Sequence, residues 1–345
     1  MANPYRTLTI LGQDPNLRSV DGRLLTARVQ IPNEEVSAGP RGYRVQVVDY
    51  DASASRLYKP LDPAKMGTVA DPRDPFEAKQ PNARLLDDPQ FHAQNVYAIV
   101  MRTLMHFERA LGRRVSWSFG GHQLKVAPHA FAEANAFYSK RDEALLFGYF
   151  AAPQGGTIFT CLSHDIIAHE TTHALLDGLR PRYMEPSSPD QAAFHEGFAD
   201  VITLLSVFSI PEVVSFAVHA ALAAQGETPS AGPAGSEPLL PLADLTINAL
   251  RAGILLGLGE QFGEALSGVR GASLRRSVTI TPSKTRLAEP EFREPHRRGE
   301  ILVAAMLQTF LQAYQPASRP SGATRAIACP RCGSSKKDRK SPIAC

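Results

Sequence analysis

The sequence predicts an α+β fold, with a mixed-sheet lobe followed by a mostly helical one. Three observations carry this. Tyr43-Arg44-Val45-Gln46-Val47-Val48-Asp49-Tyr50 alternates apolar and polar residues as a strand does. Phe91, Val96, Ile99, Val100, Leu104, Phe107 and Leu111 recur at helical spacing and stop at Gly112. Short apolar and aromatic runs from Val115 to Phe150, broken by Gly and Pro, read as a sheet, and a helix follows over 163–179.

The elements divide the chain into four segments. Residues 1–85 form a β-rich N-terminal part, and 60–90 is a Pro- and Asp-rich extended connection. Residues 86–200 hold the chemistry described below. Residues 201–315 are expected to form a helical lobe with helices near 243–268 and 297–314, after a Gly/Pro/Ser/Ala-rich and mobile stretch at 225–241. Residues 316–345 form a basic, disordered tail.

His169-Glu170-Thr171-Thr172-His173 is the most informative segment. On one helix the two histidines stand one turn apart on one face, where two ring nitrogens can bind a single zinc ion. Glu170 then lies beside the metal, as a general base for a metal-bound water does. The His and Glu content gives a chance expectation of roughly 1–2% for one such pentad. A catalytic zinc needs a third protein ligand and an open position. Glu196 is the candidate ligand. Asp200, one turn on, shares its helix face and can accept the second N–H of a zinc-bound histidine. The apolar run Val201-Ile202-Thr203-Leu204-Leu205 buries that helix, which makes unpaired carboxylates there costly.

Composition narrows the class. Forty-three per cent hydrophobic residues in 345 allow a sizeable core. No run of eighteen apolar residues spans a membrane, and the N-terminus lacks a leader pattern, so the chain reads as cytoplasmic, with export by a non-standard route left open. The net charge is +3, but residues 316–345 carry seven Lys/Arg and one Asp, which is +6 and leaves −3 for the body. The basic balance therefore belongs to the tail and gives no argument for a nucleic-acid partner. Cys161 lies in an apolar segment and reads as a small buried residue. Cys329-Pro330-Arg331-Cys332 is half of a metal-binding pattern, with only Cys345 after it.

Residues 90–200, and again those near 296, resemble the thermolysin family of zinc metallopeptidases (gluzincins). Asn135-Ala136-Phe137-Tyr138 resembles the family's Asn-Ala-Phe-Trp edge strand, which aligns the substrate backbone. Asp165 to His173 resembles its zinc helix, and Glu196 with Asp200 its Glu-x-x-x-Asp segment. The resemblance implies a thermolysin-like fold with the zinc helix between the lobes. It implies one catalytic zinc on His169, His173 and Glu196, Glu170 as base, and a peptide or protein substrate held by Asn135 and Ala136. His296, in Glu294-Pro295-His296-Arg297-Arg298-Gly299-Glu300, and Tyr183 would be oxyanion donors.

The chain departs from the family in several places. His195 stands where an Asn usually precedes the third ligand, outside the zinc shell. His164 reads as structural. The carboxylates of the usual calcium site are missing after Asp200, so no calcium is expected there. No leader or propeptide is visible, and the abrupt change of composition at the tail suggests a truncated or frameshifted product. The alternative to an active peptidase is therefore a relic that keeps its zinc for structural or peptide-binding purposes. Side-chain specificity and oligomeric state are not legible.

Overall fold

The computed structural model describes residues 3–15, 24–77, 83–152, 155–185, 187–216, 280–281 and 283–314. These residues form a mixed α and β structure. The expected helix at 243–268, the stretch at 225–241, the tail and Cys329, Cys332 and Cys345 lie outside them.

Strand β1 (Tyr5–Leu11) pairs antiparallel with β2 (Thr26–Pro32), in a register running from Tyr5 opposite Pro32 to Leu11 opposite Thr26. In β2, Ala27, Val29 and Ile31 are buried and alternate with more exposed residues, so one face of the hairpin meets the core. β3 (Val45–Val47), β4 (Tyr50–Asp51) and β5 (Arg56–Leu57) follow. The connection at 60–90 is more ordered than the sequence suggests. It contains a short helix α1 (Pro63–Met66) and a 3-10 turn at Ala83–Asp87. Asp62 caps α1 by accepting the Ala64 N–H at 2.9 Å, and Pro63 supplies a φ already suited to a first helical turn.

Helix α2 (Pro89–Leu111) runs through the centre. Asp88 caps it, accepting from Gln90 N at 2.9 Å, and Gly112 ends it with a left-handed φ of 63°. Phe91, Val96, Ile99 and Val100 are fully buried. The main sheet has the order β3, β6 (Leu124–Phe131), β8 (Ala144–Ala151), β7 (Ala136–Ser139), and β9 (Thr157–Phe159) also pairs with β8. β3, β6 and β8 are parallel, whereas β7 runs antiparallel to β8 and lies at the edge.

Helices α3 (His164–Leu179), α4 (Pro189–Phe208) and α5 (Pro295–Tyr314) complete the described structure. α3 and α5 start within two residues of the expected 163 and 297. Ser163 caps α3 by accepting from Ile166 N, and Ser188 caps α4 by accepting from Gln191 N at 3.1 Å. Glu294 caps α5, accepting the Arg297 N–H at 2.7 Å. One hydrophobic core joins the hairpin, α2, the sheet, α3 and α4.

α4 and α5 approach closely at a pair of glycines. A Cβ on Gly197 would lie 2.7 Å from the Gly299 carbonyl oxygen, and one on Gly299 would lie 2.8 Å from that of Ala193. Backbone therefore packs on backbone, and only hydrogen fits at these two positions. Among the described residues, no helix is long and apolar enough to cross a membrane.

Candidate metal centre

The pentad sits in the middle of α3, and Glu196 and Asp200 are placed on the neighbouring α4. His169 Nε2 lies 3.0 Å from His173 Nε2 and 3.2 Å from Glu196 Oε2, and His173 Nε2 lies 3.7 Å from the same oxygen. Zinc bonds of 2.0–2.2 Å at tetrahedral angles set ligand atoms about 3.3 Å apart, so the three atoms have the mutual spacing that one ion requires.

The donor chemistry also fits a cation. His169 Nδ1 is 2.9 Å from Asp200 Oδ1. A carboxylate accepts, so Nδ1 carries the hydrogen and Nε2 of the neutral ring carries a lone pair. His173 Nδ1 faces His195 Nδ1 at 2.6 Å, with the two rings stacked at 4.7 Å. Burial, and then the neighbouring His173, lowers the His195 pKa to about 4, so His195 is neutral. In the tautomer in which His195 Nδ1 accepts from His173 Nδ1–H, His173 Nε2 is left with its lone pair. Two imidazole lone pairs and a carboxylate oxygen then converge on one point, an arrangement that a cation stabilises.

The shared proton is the alternative when no ion is bound. Burial disfavours charge on His169, yet the hydrogen bonds to Asp200 and Glu196 outweigh it and raise its pKa to about 10. Glu196 is held well below the usual carboxylate range by His169, His173 and His296, against the effect of burial.

Glu170 shows a different environment. It is 2% exposed, and its Oε2 accepts the Tyr138 backbone N–H at 3.1 Å. One of its carboxylate oxygens also lies within 4.8 Å of the ring nitrogens of His169 and His173. Glu196 is in ion-pair contact with both rings and remains the candidate third ligand, with Glu170 beside the set.

The Tyr138 contact orients the edge strand. Its N–H points at α3, so the side of β7 away from β8 faces the histidine helix. The Tyr138 hydroxyl donates to Asp177 Oδ2 at 2.9 Å, and Lys140 Nζ donates to Asp177 Oδ1 at 3.0 Å, which fastens β7 along α3. Ala136 is buried within this strand, and Asn135 is exposed at its start, its side chain accepting from Ala136 N at 2.9 Å.

His296 enters from the first turn of α5. Its Nε2 is 3.2 Å from Glu196 Oε2, and its Nδ1 is 2.6 Å from Glu294 Oε1. The bond to Glu196, opposed by burial and aided by Glu294, raises its pKa to about 9. Tyr183 is 37% exposed, in a 3-10 turn (Pro181–Met184), and its ring meets Phe194 edge-on at 5.8 Å. The hydrogen bonds and ion pairs of the cluster do not include it.

His195, expected outside the zinc shell, sits directly behind His173. It is 5% exposed and bonded to a candidate ligand. The available signal was a histidine directly before Glu196 on a buried helix. His164 is structural as expected, buried with Nε2 2.8 Å from Ser206 Oγ.

No protein-family model matches the chain, and no curated protein matches it.

Proposed function

We propose that this protein is a zinc-dependent endopeptidase of thermolysin-like architecture. The observation that carries the proposal is the convergence of His169, His173 and Glu196 within 3.7 Å of one another, with Glu170 tied to the edge strand beside them. Bound zinc lowers the pKa of its water and polarises the scissile carbonyl.

The chain's residues supply the rest. A peptide substrate runs along β7 beside α3, with Asn135 and the Ala136 backbone aligning it. That places its carbonyl next to Glu170. The Tyr138 N–H keeps the Glu170 carboxylate oriented, and Glu170 takes the proton of the attacking water and passes it to the leaving amine. His296, at the start of α5 beside Glu196 and Glu294, donates to the oxyanion. Such a donor contributes about 3–4 kcal/mol when well placed. Tyr183 is the second donor in this scheme; its ring meets Phe194 on α4. Asp200 and His195 hold the two histidine rings from behind.

The test pairs metal content with hydrolysis of an unfolded protein such as casein. Wild type is expected to hold zinc and cleave. Glu170→Gln is expected to keep the zinc and lose cleavage by about a thousandfold or more. Full activity of Glu170→Gln would reject the base assignment. Zinc without cleavage in the wild type would instead favour a structural or peptide-binding relic.

A further inference from the structure

A second set of metal-type side chains lies apart from the α3–α4 cluster. His92 on α2, His129 on β6 and Cys161, in the turn just before α3, are 1%, 1% and 0% exposed. A ring nitrogen of each histidine and the Cys161 sulfur lie within 4.8 Å of one another. Cys161 is not in a disulfide.

The surrounding hydrogen bonds fix where the protons are. His92 Nε2 is 2.9 Å from the Leu86 carbonyl oxygen, which only accepts, so this nitrogen carries a hydrogen. His129 Nδ1 is 2.8 and 3.0 Å from the two oxygens of Asp49, so it carries one too. A neutral imidazole has a single N–H. The inner nitrogens, His92 Nδ1 and His129 Nε2, are therefore both lone-pair atoms, and they stand 2.8 Å apart. In a dry interior, lined here by Phe159 and Tyr58 against the rings, two facing lone pairs repel unless positive charge lies between them.

Either a shared proton or a metal ion can supply that charge, and three features favour the metal. The outer contacts are those of metal-bound histidines, one ring N–H on a carboxylate and the other on a backbone carbonyl. A shared proton gives the sulfur no role, whereas a metal takes it as a third ligand. Two imidazoles and a thiolate suit zinc or copper(I), not magnesium or calcium. Charge then selects between the two. A divalent ion, a Cys161 thiolate and the Asp49 carboxylate sum to zero, which avoids a net buried charge.

We propose that His92, His129 and Cys161 form a second zinc site, with three protein ligands. Zinc–nitrogen and zinc–sulfur bonds require the inner nitrogens to part by roughly half an ångström and the sulfur to close by about an ångström or less. The ion clamps α2, β6 and the turn that launches α3, eight residues before His169. The site does not depend on the peptidase reading, since it shares no ligand with the α3–α4 cluster.

Cobalt(II) tests it, because a thiolate ligand gives cobalt a near-ultraviolet charge-transfer band that histidine and carboxylate ligands do not. The full chain is used with Cys329, Cys332 and Cys345 changed to serine, which leaves Cys161 as its only thiol. The expected result is about two cobalt ions per chain and the thiolate band. Cys161→Ser loses the band and one ion. His92→Gln, which retains the thiol, shifts or loses the band and guards against misfolding of the serine variant. His169→Gln loses the other ion and keeps the band, so failure of the catalytic centre is read separately. A folded parent chain (by circular dichroism) that shows no thiolate band at saturating cobalt overturns the site and leaves the shared proton. So does a band indifferent to both His92→Gln and His129→Gln.

Discussion

His169 Nδ1 lies 2.9 Å from Asp200 Oδ1, so a ring on α3 is held by a carboxylate on α4. The contact sets the tautomer that presents Nε2 to His173 and Glu196. Asp200→Asn keeps an acceptor but loses the charge that supports the ring's donor strength. Zinc affinity, read by competition with a chelating dye, is expected to fall by about 10–100-fold. Unchanged affinity would mean that Asp200 only joins the helices.

His195 is the corresponding neighbour of His173, an imidazole in place of a carboxylate. Its buried Nδ1 faces His173 Nδ1 at 2.6 Å. His195→Asn restores an acceptor of similar reach, whereas His195→Phe preserves the stacking and removes it. The expectation is near-normal zinc affinity for the Asn variant and a loss of about tenfold or more for Phe. Equal affinities in the two variants would argue that stacking, not the hydrogen bond, matters.

These contacts show what the sequence could and could not reveal. The His169–His173 and Glu196–Asp200 spacings each lie within one helix, where a period of 3.6 converts position directly into direction. That made the donor set legible. The His173–His195 contact depends on how α4 docks against α3, which no periodicity encodes. His92 and His129 meet across 37 positions in sequence, and neither falls in a recognisable spacing. The residues around 63 were misread for a different reason. Pro and Asp mark connections, but Asp62 followed by Pro63 is equally a cap followed by a first-turn proline, and a four-residue helix results.

Gly299 is the point where α5 bears on α4, and it lies three residues from His296. A Cβ there would stand 2.8 Å from the Ala193 carbonyl oxygen and 2.9 Å from Gly197 N. Both are backbone atoms, so α5 must shift outward as a unit. Gly299→Ala is expected to cost about 1–3 kcal/mol of stability in thermal or urea unfolding. It should also draw His296 away from Glu196. Zinc content, which rests on α3 and α4, should hold, and hydrolysis should fall by about tenfold or more as the oxyanion donor retreats. Normal hydrolysis in the destabilised variant would place His296 outside the catalytic machinery.

His164 provides a pH test away from the metal ligands. It is 0% exposed, with one ring nitrogen bonded to Ser206 and the other, Nδ1, without a hydrogen-bond partner among the described residues. Burial, reinforced by Arg102 and His106, lowers its pKa from 6.5 to about 3. The unfolded chain therefore binds a proton at this position below pH 6.5, while the folded protein refuses it until about pH 3. Stability supplied by the neutral ring is full above pH 6.5 and is lost as the pH falls toward 3. The loss amounts to a few kcal/mol at most, on the order of 1.4 kcal/mol for each unit by which the pKa is depressed. Urea unfolding at pH 7 and pH 4.5, with chelator present throughout, measures it. His164→Gln cannot take up the proton, so its stability should fall less over this interval than that of the wild type, whatever its starting value. Identical pH slopes for the two proteins would show that the buried ring at 164 is not a source of acid sensitivity.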